Sequence, residues 1–193
     1  MLREEDLIQS LIKGDENAYR SVMELYADMV YNTSLSIIKN SNDAEDLTQE
    51  VFVEVFQSIQ KFEKKSSLKT WIYRITVTKT LDEVKKQKSH KRGSLFIRVF
   101  KSKEDRSMPD APNFNHPGVE LEQKEAASTL FMAIEKLPEN QKVAFTLHKI
   151  EQLSYKEIAE IMKLSLGSVE SLIFRARQNL QKSLEKYYTD HKF

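Results

Sequence analysis

The chain of 193 residues has 40% hydrophobic and 31% charged side chains, so it can bury the cores of two small domains or one larger one. It has no cysteine, four glycines and four scattered histidines, which excludes disulfides and thiolate metal sites and argues against a metal ion, a cofactor or a glycine-rich phosphate loop. The net charge of +1 conceals two opposed segments, because residues 1–60 carry 4 basic and 12 acidic side chains whereas residues 61–103 carry 14 basic and 3 acidic ones.

The acidic first segment is predicted to form three helices. Glu4–Lys13 has the spacing of a short amphipathic helix, and Asp15 is placed to cap a longer helix that runs to about Ile38. A capping box that begins at Asn42 predicts a third helix over Asp43–Gln60. The amino-terminal residues are charged and no apolar run has the length of a membrane span. We therefore expect a cytoplasmic protein with no signal peptide and no direct membrane insertion.

The third predicted helix has one apolar side and one acidic side. Its apolar positions lie together on one half of the helix at about 100° per residue: Leu47, Val51, Phe52, Val55, Phe56 and Ile59. Its acidic and amide positions cluster within about 80° on another side: Asp43, Asp46, Glu50, Glu54 and Gln57. Exposed helix faces usually mix charges of both signs, but this helix has no lysine or arginine. The stripe is either an ordinary acidic surface or a docking site for a basic partner.

The basic segment begins with a polar loop, Glu63–Ser67, and continues into a helix predicted from Leu68 to about Gln87. Its excess of positive charge is the footprint expected of a protein that binds a polyanion. Cations and aromatic rings alternate here: Lys64, Lys65, Lys69, Arg74 and Lys79 with Phe62, Trp71 and Tyr73. This pattern suits single-stranded nucleic acid, whose bases need a stacking surface and whose backbone needs positive charge. The alternative is that the aromatic rings belong to the hydrophobic core.

From Lys88 to Gly118 the helical pattern ends, and three of the four prolines lie in Pro109–Pro117. Helices are predicted again over Val119–Lys136 and Glu139–Ile150. We expect an all-α protein of two small helical domains, 1–90 and 119–187, joined by a flexible linker, 91–118, and followed by a short tail, 188–193.

The second domain ends in a predicted helix-turn-helix. A capping box, Ser154 with Glu157, begins its first helix, which is predicted to bury Ile158, Ala159 and Met162. Lys163–Ser165 forms the turn. The second helix has a core-facing stripe within about 80°: Val169, Ile173, Ala176, Leu180, Leu184 and Tyr187. Its outer side carries Ser171, Phe174, Arg175, Gln178 and Lys182. Such an outer side either reads a DNA major groove or is the solvated surface of a helical hairpin.

Taken in order, these segments resemble the bacterial sigma factors of the extracytoplasmic-function (ECF) group in the sigma-70 family. Asp43–Phe52 resembles the segment that grips the clamp helices of the largest polymerase subunit. Phe62–Ile75 is similar to the segment that melts the promoter and reads its −10 element. Leu137–Arg177 resembles the domain that reads the −35 element. The resemblance covers about residues 20–88 and 125–185.

The resemblance implies a role for residues at the matching positions. The residues implied to bind polymerase are Asp43, Asp46, Gln49 and Glu50. Those implied to bind and melt the −10 element, with the Glu63–Ser67 loop holding a flipped base, are Lys64, Lys65, Ser67, Lys69, Trp71, Tyr73, Arg74 and Thr78. Those implied to bind the −35 element are His148, Ser168, Ser171, Phe174, Arg175 and Gln178.

The resemblance also implies partners. They are core RNA polymerase, contacted at its clamp helices and flap, promoter DNA, and an anti-sigma protein; no small-molecule substrate is implied. The chain departs from the family pattern at Thr78, where many members have asparagine, and at Glu170 and Leu172, where many have basic residues. Lys163 occupies a turn position that is often glycine or aspartate. Fewer cations near phosphates would weaken −35 binding and its dependence on salt.

We interpret the chain as an alternative sigma factor that performs no chemistry. One rival is a stand-alone helix-turn-helix regulator, which would bind duplex tightly without polymerase and would leave the acidic stripe unexplained. The other rival is an enzyme acting on nucleic acid, which would need a carboxylate cluster or a nucleophile in a pocket. A requirement for a divalent metal would favour that second rival.

Overall fold

The computed structural model describes residues 4–98 and 129–190, and within these ranges every regular element is helical. The chain divides into two compact units, residues 1–113 and 114–193. The first contains α1 (Glu4–Ile12), α2 (Glu16–Ile38), α3 (Ser41–Ser58), a 3₁₀ turn (Ile59–Lys61) and α4 (Leu68–Arg98). The second contains α5 (residues 129–135), α6 (Glu139–Lys149), α7 (Tyr155–Met162) and α8 (Leu166–Asp190). The prediction of an all-α fold with two helical units is confirmed.

The core of the first unit lies where α2, α3 and α4 pack against one another. Its most deeply buried apolar side chains include Val22, Val51, Val55, Leu68 and Ile72, each fully enclosed. Helix α1 adds Ile8 and Leu11 to the same cluster. None of the described helices is both long and apolar enough to cross a lipid bilayer.

Two caps define where the helices of the first unit begin, and one differs from the prediction. Asp15 accepts hydrogen bonds from the backbone N–H groups of Asn17 and Ala18, as expected for a residue that caps α2. The predicted cap of α3 at Asn42 is wrong, because Asn40 Oδ1 accepts from the N–H of Asp43 at 3.1 Å. Lys39, in a left-handed conformation, ends α2 and leaves Asn40 as the first extended residue.

Helix α4 is longer than predicted. It was expected to end near Gln87, but it continues through Arg98, so residues 91–98 of the predicted linker are helical. The residues between these points include several lysines and arginines, which favour helix, and Gly93 is not followed by a proline that would end it. The remainder of the predicted linker and residues 191–193 of the predicted tail lie outside the described residues.

In the second unit, α8 packs along α6 and α7. The predicted stripe is confirmed over its described side chains, since Val169, Ile173, Ala176 and Leu180 are buried and Leu184 is half-buried. The side chain of Tyr187 lies outside the described residues. Helix α7 differs from the prediction: it buries Ile158 and Ile161, whereas Ala159 and Met162 are only half-buried.

The position of the α3 cap can be tested by comparing two asparagines. Asn40→Ala is expected to lower the free energy of unfolding by about 1 kcal/mol, because it removes the acceptor of a helix-terminal N–H. Asn42→Ala, inside the exposed first turn, is the matched control and should change it by less than about 0.5 kcal/mol. Urea unfolding followed by fluorescence reports the first unit alone, because Trp71 is the single tryptophan. Equal losses from both variants would contradict this assignment.

Candidate functional site

The outer side of α3 presents carboxylates and amides to solvent. Asp46, Gln49 and Glu50 are exposed, and the buried Leu47 and Val51 hold the opposite side of the helix in the core. We call Asp46, Gln49, Glu50, Val53 and Phe56 the acidic face.

Two apolar residues stand within the acidic face. Val53 is 52% exposed and Phe56 is 50% exposed. Phe56, one of the apolar positions of this helix, is therefore only partly covered: its ring meets that of Tyr19 edge-on, with ring centroids 4.9 Å apart. A hydrogen bond holds the Tyr19 ring in this position, because its hydroxyl donates to the carbonyl oxygen of Phe52 at 2.7 Å. Large apolar side chains amid charges are typical of a surface that a partner covers.

Helix α4 supplies the acidic face with a cation that α3 itself lacks. Lys79 Nζ lies 3.9 Å from a carboxylate oxygen of Glu50 and 3.7 Å from one of Glu54. These carboxylates remain largely exposed, so the pairs contribute little to stability. Asp43 differs from the other predicted partner-binding residues because its carboxylate accepts a hydrogen bond from Gln87 Nε2 at 2.9 Å, which turns it toward α4.

The loop before α4, Glu63–Ser67, exposes its lysines. Lys64 has a positive φ of 57°, a left-handed conformation that turns the chain sharply. Lys65 pairs with Glu63, and this hydrogen bond together with the lysine charge lowers the pKa of the Glu63 carboxyl below its usual range. Ser67 Oγ accepts from the N–H of Thr70 at 3.1 Å and so caps α4. We call this segment the basic loop.

The predicted aromatic platform divides between core and surface. Phe62 is buried and its ring lies 5.0 Å from that of Trp71, which is half-buried. Tyr73 is only 2% exposed, so its ring has no free face for stacking with a base. Lys69 Nζ lies 5.9 Å from the Tyr73 ring centroid and covers that ring from the solvent side. Trp71 is therefore the aromatic residue of this set that retains accessible surface.

The remaining predicted residues of this segment also differ in exposure. Lys69 and Thr78 are exposed, whereas Arg74 is half-buried. Thr78 Oγ1 donates to the carbonyl oxygen of Arg74 at 2.8 Å, one turn earlier. The exposed cations of the predicted set, Lys64, Lys65 and Lys69, thus lie in the basic loop and in the first turn of α4.

The helix-turn-helix is confirmed in its local detail. Ser154 and Glu157 form the predicted capping box at the start of α7. Lys163 ends α7 with a φ of 54°, which explains why glycine suits this position in related patterns. Ser165 Oγ then accepts from the N–H of Ser168 at 3.2 Å, and the two hydroxyls lie 2.8 Å apart. This bond fixes Ser168 at the first turn of α8.

The outer side of α8 carries the predicted reading residues. Ser171, Phe174, Arg175 and Gln178 are all exposed, and Phe174 is 61% exposed, equal to the highest value for a large apolar residue among those described. Arg175 Nε donates to the carbonyl oxygen of Ser171 at 3.1 Å, which aligns the guanidinium along the helix surface. A phenyl ring and a guanidinium side by side can contact a thymine methyl group and a guanine edge or phosphate. We call these four residues the reading face.

His148, near the end of α6, is half-buried beside the start of α7. Its Nδ1 lies 3.1 Å from the carbonyl oxygen of Leu153, and its ring meets that of Tyr155 edge-on at 4.8 Å. Because the carbonyl can only accept, Nδ1 carries the hydrogen and Nε2 is the nitrogen left for another ligand.

Comparison with known proteins matches both units. Residues 22–90 match the family model for sigma-70 region 2, and residues 122–180 match that for sigma-70 region 4. The chain is 31% identical over 193 residues to the "ECF RNA polymerase sigma-E factor" of Haemophilus influenzae, covering 95% of this chain and 96% of the relative.

Two solved structures have the same fold. One is CnrH in complex with the cytosolic domain of CnrY, with 21% identity, a TM-score of 0.65, and coverage of 95% of this chain and 97% of that one. The other is the sigma factor RpoE in complex with the anti-sigma factor NepR from Bartonella quintana, with 22% identity, a TM-score of 0.60, and coverage of 86% and 96%. The acidic face and basic loop lie within the region 2 match, and the reading face within the region 4 match.

Truncation to alanine should have a large effect on stability at one residue of α8 and a small effect at its neighbour. Ile173→Ala is expected to lower the free energy of unfolding of the second unit by about 2–5 kcal/mol, because it leaves a cavity. Phe174→Ala should change it by less than about 0.5 kcal/mol, because most of the ring is in solvent. Hydrogen exchange of peptides from α6 and α8, followed by mass spectrometry, measures both. A comparable loss from Phe174→Ala would show that its ring is a packing residue.

Proposed function

We propose a role for each of these surfaces on the premise that this chain belongs to the ECF group of sigma-70 family sigma factors. As such a factor it associates with RNA polymerase and directs promoter-specific initiation of transcription. The observation that carries the assignment of roles is the separation of surfaces. An acidic face and a basic loop stand on the first unit, and a reading face stands on the second.

The acidic face binds core RNA polymerase, at the clamp helices of the largest subunit. Asp46, Gln49 and Glu50 offer carboxylate and amide oxygens to a basic surface, and the half-exposed Val53 and Phe56 supply apolar area at the centre of the contact. Asp43 supports this contact indirectly, because its carboxylate is already engaged by Gln87.

The basic loop and the first turns of α4 bind the −10 element. Exposed Lys64, Lys65 and Lys69 meet the phosphates, and the accessible part of Trp71 offers a surface for an unstacked base. Ser67 and Thr78 lie on the same segment with exposed hydroxyl-bearing side chains. Tyr73 and Arg74 act from within the unit, by supporting the surface on which Lys69 and Trp71 stand.

The reading face of α8 enters the major groove of the −35 element. Ser171, Phe174 and Arg175 face the base edges, while Ser168, at the amino-terminal turn, and Gln178 lie where the helix passes the backbone. His148, just before the helix-turn-helix, lies near the DNA backbone. With both units bound to one polymerase, each contact raises the effective concentration of the other, so neither has to bind DNA tightly alone.

The chain performs no chemistry itself and acts in the cytoplasm, where it meets polymerase and DNA. Its activity is restrained by an anti-sigma protein that covers the acidic face. Support for this restraint comes from the RpoE structure, which holds that sigma factor in complex with an anti-sigma factor. A polar face with two half-exposed apolar side chains is a surface that such a partner can cover.

The polymerase contact is tested by transcription of pooled genomic fragments with core bacterial polymerase, with and without this chain, and sequencing of 5′ ends. We expect discrete new start sites that share two upstream motifs. Glu50→Lys should reduce the amount of transcript from these sites by about 10- to 100-fold, because it places a cation against a basic surface. Glu45→Lys makes the same charge change at an exposed position on another side of α3 and should stay within about twofold.

Two outcomes of this experiment would contradict the proposed role. Absence of new start sites with the unsubstituted chain, together with tight duplex binding by the chain alone, would indicate a stand-alone regulator. Equal losses from Glu50→Lys and Glu45→Lys would show that net charge, rather than the acidic face, governs the interaction.

The −35 contact is tested by exchanging single bases in the mapped promoter. Arg175→Ala in the holoenzyme is expected to lower the affinity for the preferred −35 sequence by about tenfold. It should also relax the base preference at one base pair. Arg177→Ala is the matched control, because Arg177 lines a cleft with Phe145 and Leu184 away from the reading face. Competition binding to the promoter series gives both values. A uniform loss across all sequences would show that Arg175 contacts phosphate only.

A further inference from the structure

Helix α1 lies before the segment that matches sigma-70 region 2, which begins at residue 22, yet it reaches the start of the DNA-binding helix. Glu4 Oε1 accepts a hydrogen bond from the backbone N–H of Leu68 at 2.5 Å. Leu68 is the first residue of α4, and 64 positions separate it from Glu4 in the chain. A side chain from one helix thus caps another helix.

This bond satisfies a backbone group that α4 cannot satisfy itself. The first N–H groups of a helix have no partner within it, and the positive end of the helix dipole favours a carboxylate there. Ser67 supplies an acceptor for the N–H of Thr70, and Glu4 supplies one for the N–H of Leu68. Without Glu4, the N–H of Leu68, whose side chain is fully buried, would lose a charged partner.

Apolar packing holds α1 in the position that this bond requires. Ile8 and Leu11 are 4% and 3% exposed, and they share one cluster with Ile59, Phe62 and Leu68. Phe62 immediately precedes the basic loop and Leu68 immediately follows it, so the apolar cluster that holds α1 includes the residues at both ends of that loop. Five residues between two anchored ends leave the loop few conformations, and Lys64 adopts a left-handed one.

We propose that α1 is a brace for the basic loop and that Glu4 is a positioning residue for the capture of a promoter base. The proposal rests on the −10 role assigned to this loop above. Glu4 does not touch DNA in this mechanism. It holds the amino-terminal end of α4, and thereby the loop and the edge of Trp71, in the geometry in which an unstacked base can be bound.

Three variants separate the hydrogen bond from the charge. Glu4→Ala removes both the acceptor and the carboxylate. Glu4→Gln keeps an oxygen that can accept from Leu68 and removes only the charge. Glu5→Ala is the matched control, because Glu5 is exposed on the same turn of α1 and its loss changes the net charge equally.

The measurement is binding of holoenzyme, assembled from the full chain, to single strands that carry the non-template sequence of the mapped −10 element. A series with one abasic site at each position identifies the captured base as the position whose loss weakens the unsubstituted protein most. On the intact strand, the affinity of the Glu4→Ala variant should be about tenfold lower than that of the unsubstituted protein. On the strand that lacks the captured base, the affinities of the two proteins should agree within about twofold. Glu4→Gln should restore most of the affinity, and Glu5→Ala should change nothing.

A second measurement distinguishes positioning from folding. Affinity for core polymerase should be the same for all three variants and the unsubstituted chain. An equal loss by Glu4→Ala on intact and abasic strands, or a loss of core binding, would show that Glu4 serves stability alone and would overturn the proposal. Unchanged binding to the intact strand would overturn it as well. If no abasic position matters to the unsubstituted protein, the −10 role of the loop is itself wrong.

Discussion

Burial of α4 between its neighbours is the constraint on which the surfaces of the first unit depend. The helix has apolar residues on two sides, and the structure covers both: Ile72 and Val77 are enclosed, and a layer of hydroxyl groups allows α2 to approach closely. In that layer Ser34 Oγ and Thr80 Oγ1 lie 3.2 Å apart, and Thr80 also donates to the carbonyl oxygen of Thr76. Small side chains whose polar atoms are bonded bring two helix backbones together without the cost of unpaired polar groups. With α4 enclosed in this way, the basic loop, Lys69 and Thr78 remain exposed, and these are the parts of the segment for which we propose DNA contacts.

Acidic and basic residues are not separated between the two units but form distinct surfaces within one unit. The first unit holds the acidic face and the basic loop at once, and Lys79 bridges the two helices by standing near Glu50 and Glu54. Exposed charges interact weakly through water and over distances of about 10 Å or less at ordinary salt. Opposite potentials can therefore coexist on one small unit, as the proposed contacts of the acidic face with polymerase and of the basic loop with DNA require.

Comparison of predicted and observed positions of particular residues shows which features can be predicted from sequence. The capping box at Ser154, the cap at Asp15 and the buried stripe of α8 were predicted correctly, because each depends on residues within one or two turns of each other. The capping box predicted at Asn42 is wrong, because α2 ends at the left-handed Lys39 and Asn40, the next residue, caps α3. The sequence left open which aromatic rings of the basic segment are buried, and it did not show that half of Phe56 is exposed. A ring's exposure depends on which neighbouring helix packs against it.

The sequence by itself determined most of the helices, the helix-turn-helix with its reading face and the segregation of charge. These follow from propensity, periodicity and composition, which are local properties of a chain. The family was indicated by the resemblance of three segments in their order along the chain. Tertiary structure alone decided the contacts between residues far apart in sequence: Glu4 with Leu68, Gln87 with Asp43, and Lys79 with Glu50. Such pairings leave no periodic signal, because they depend on the angle and register at which two helices pack. The side chains that orient the basic loop and the acidic face are therefore visible only in the folded unit.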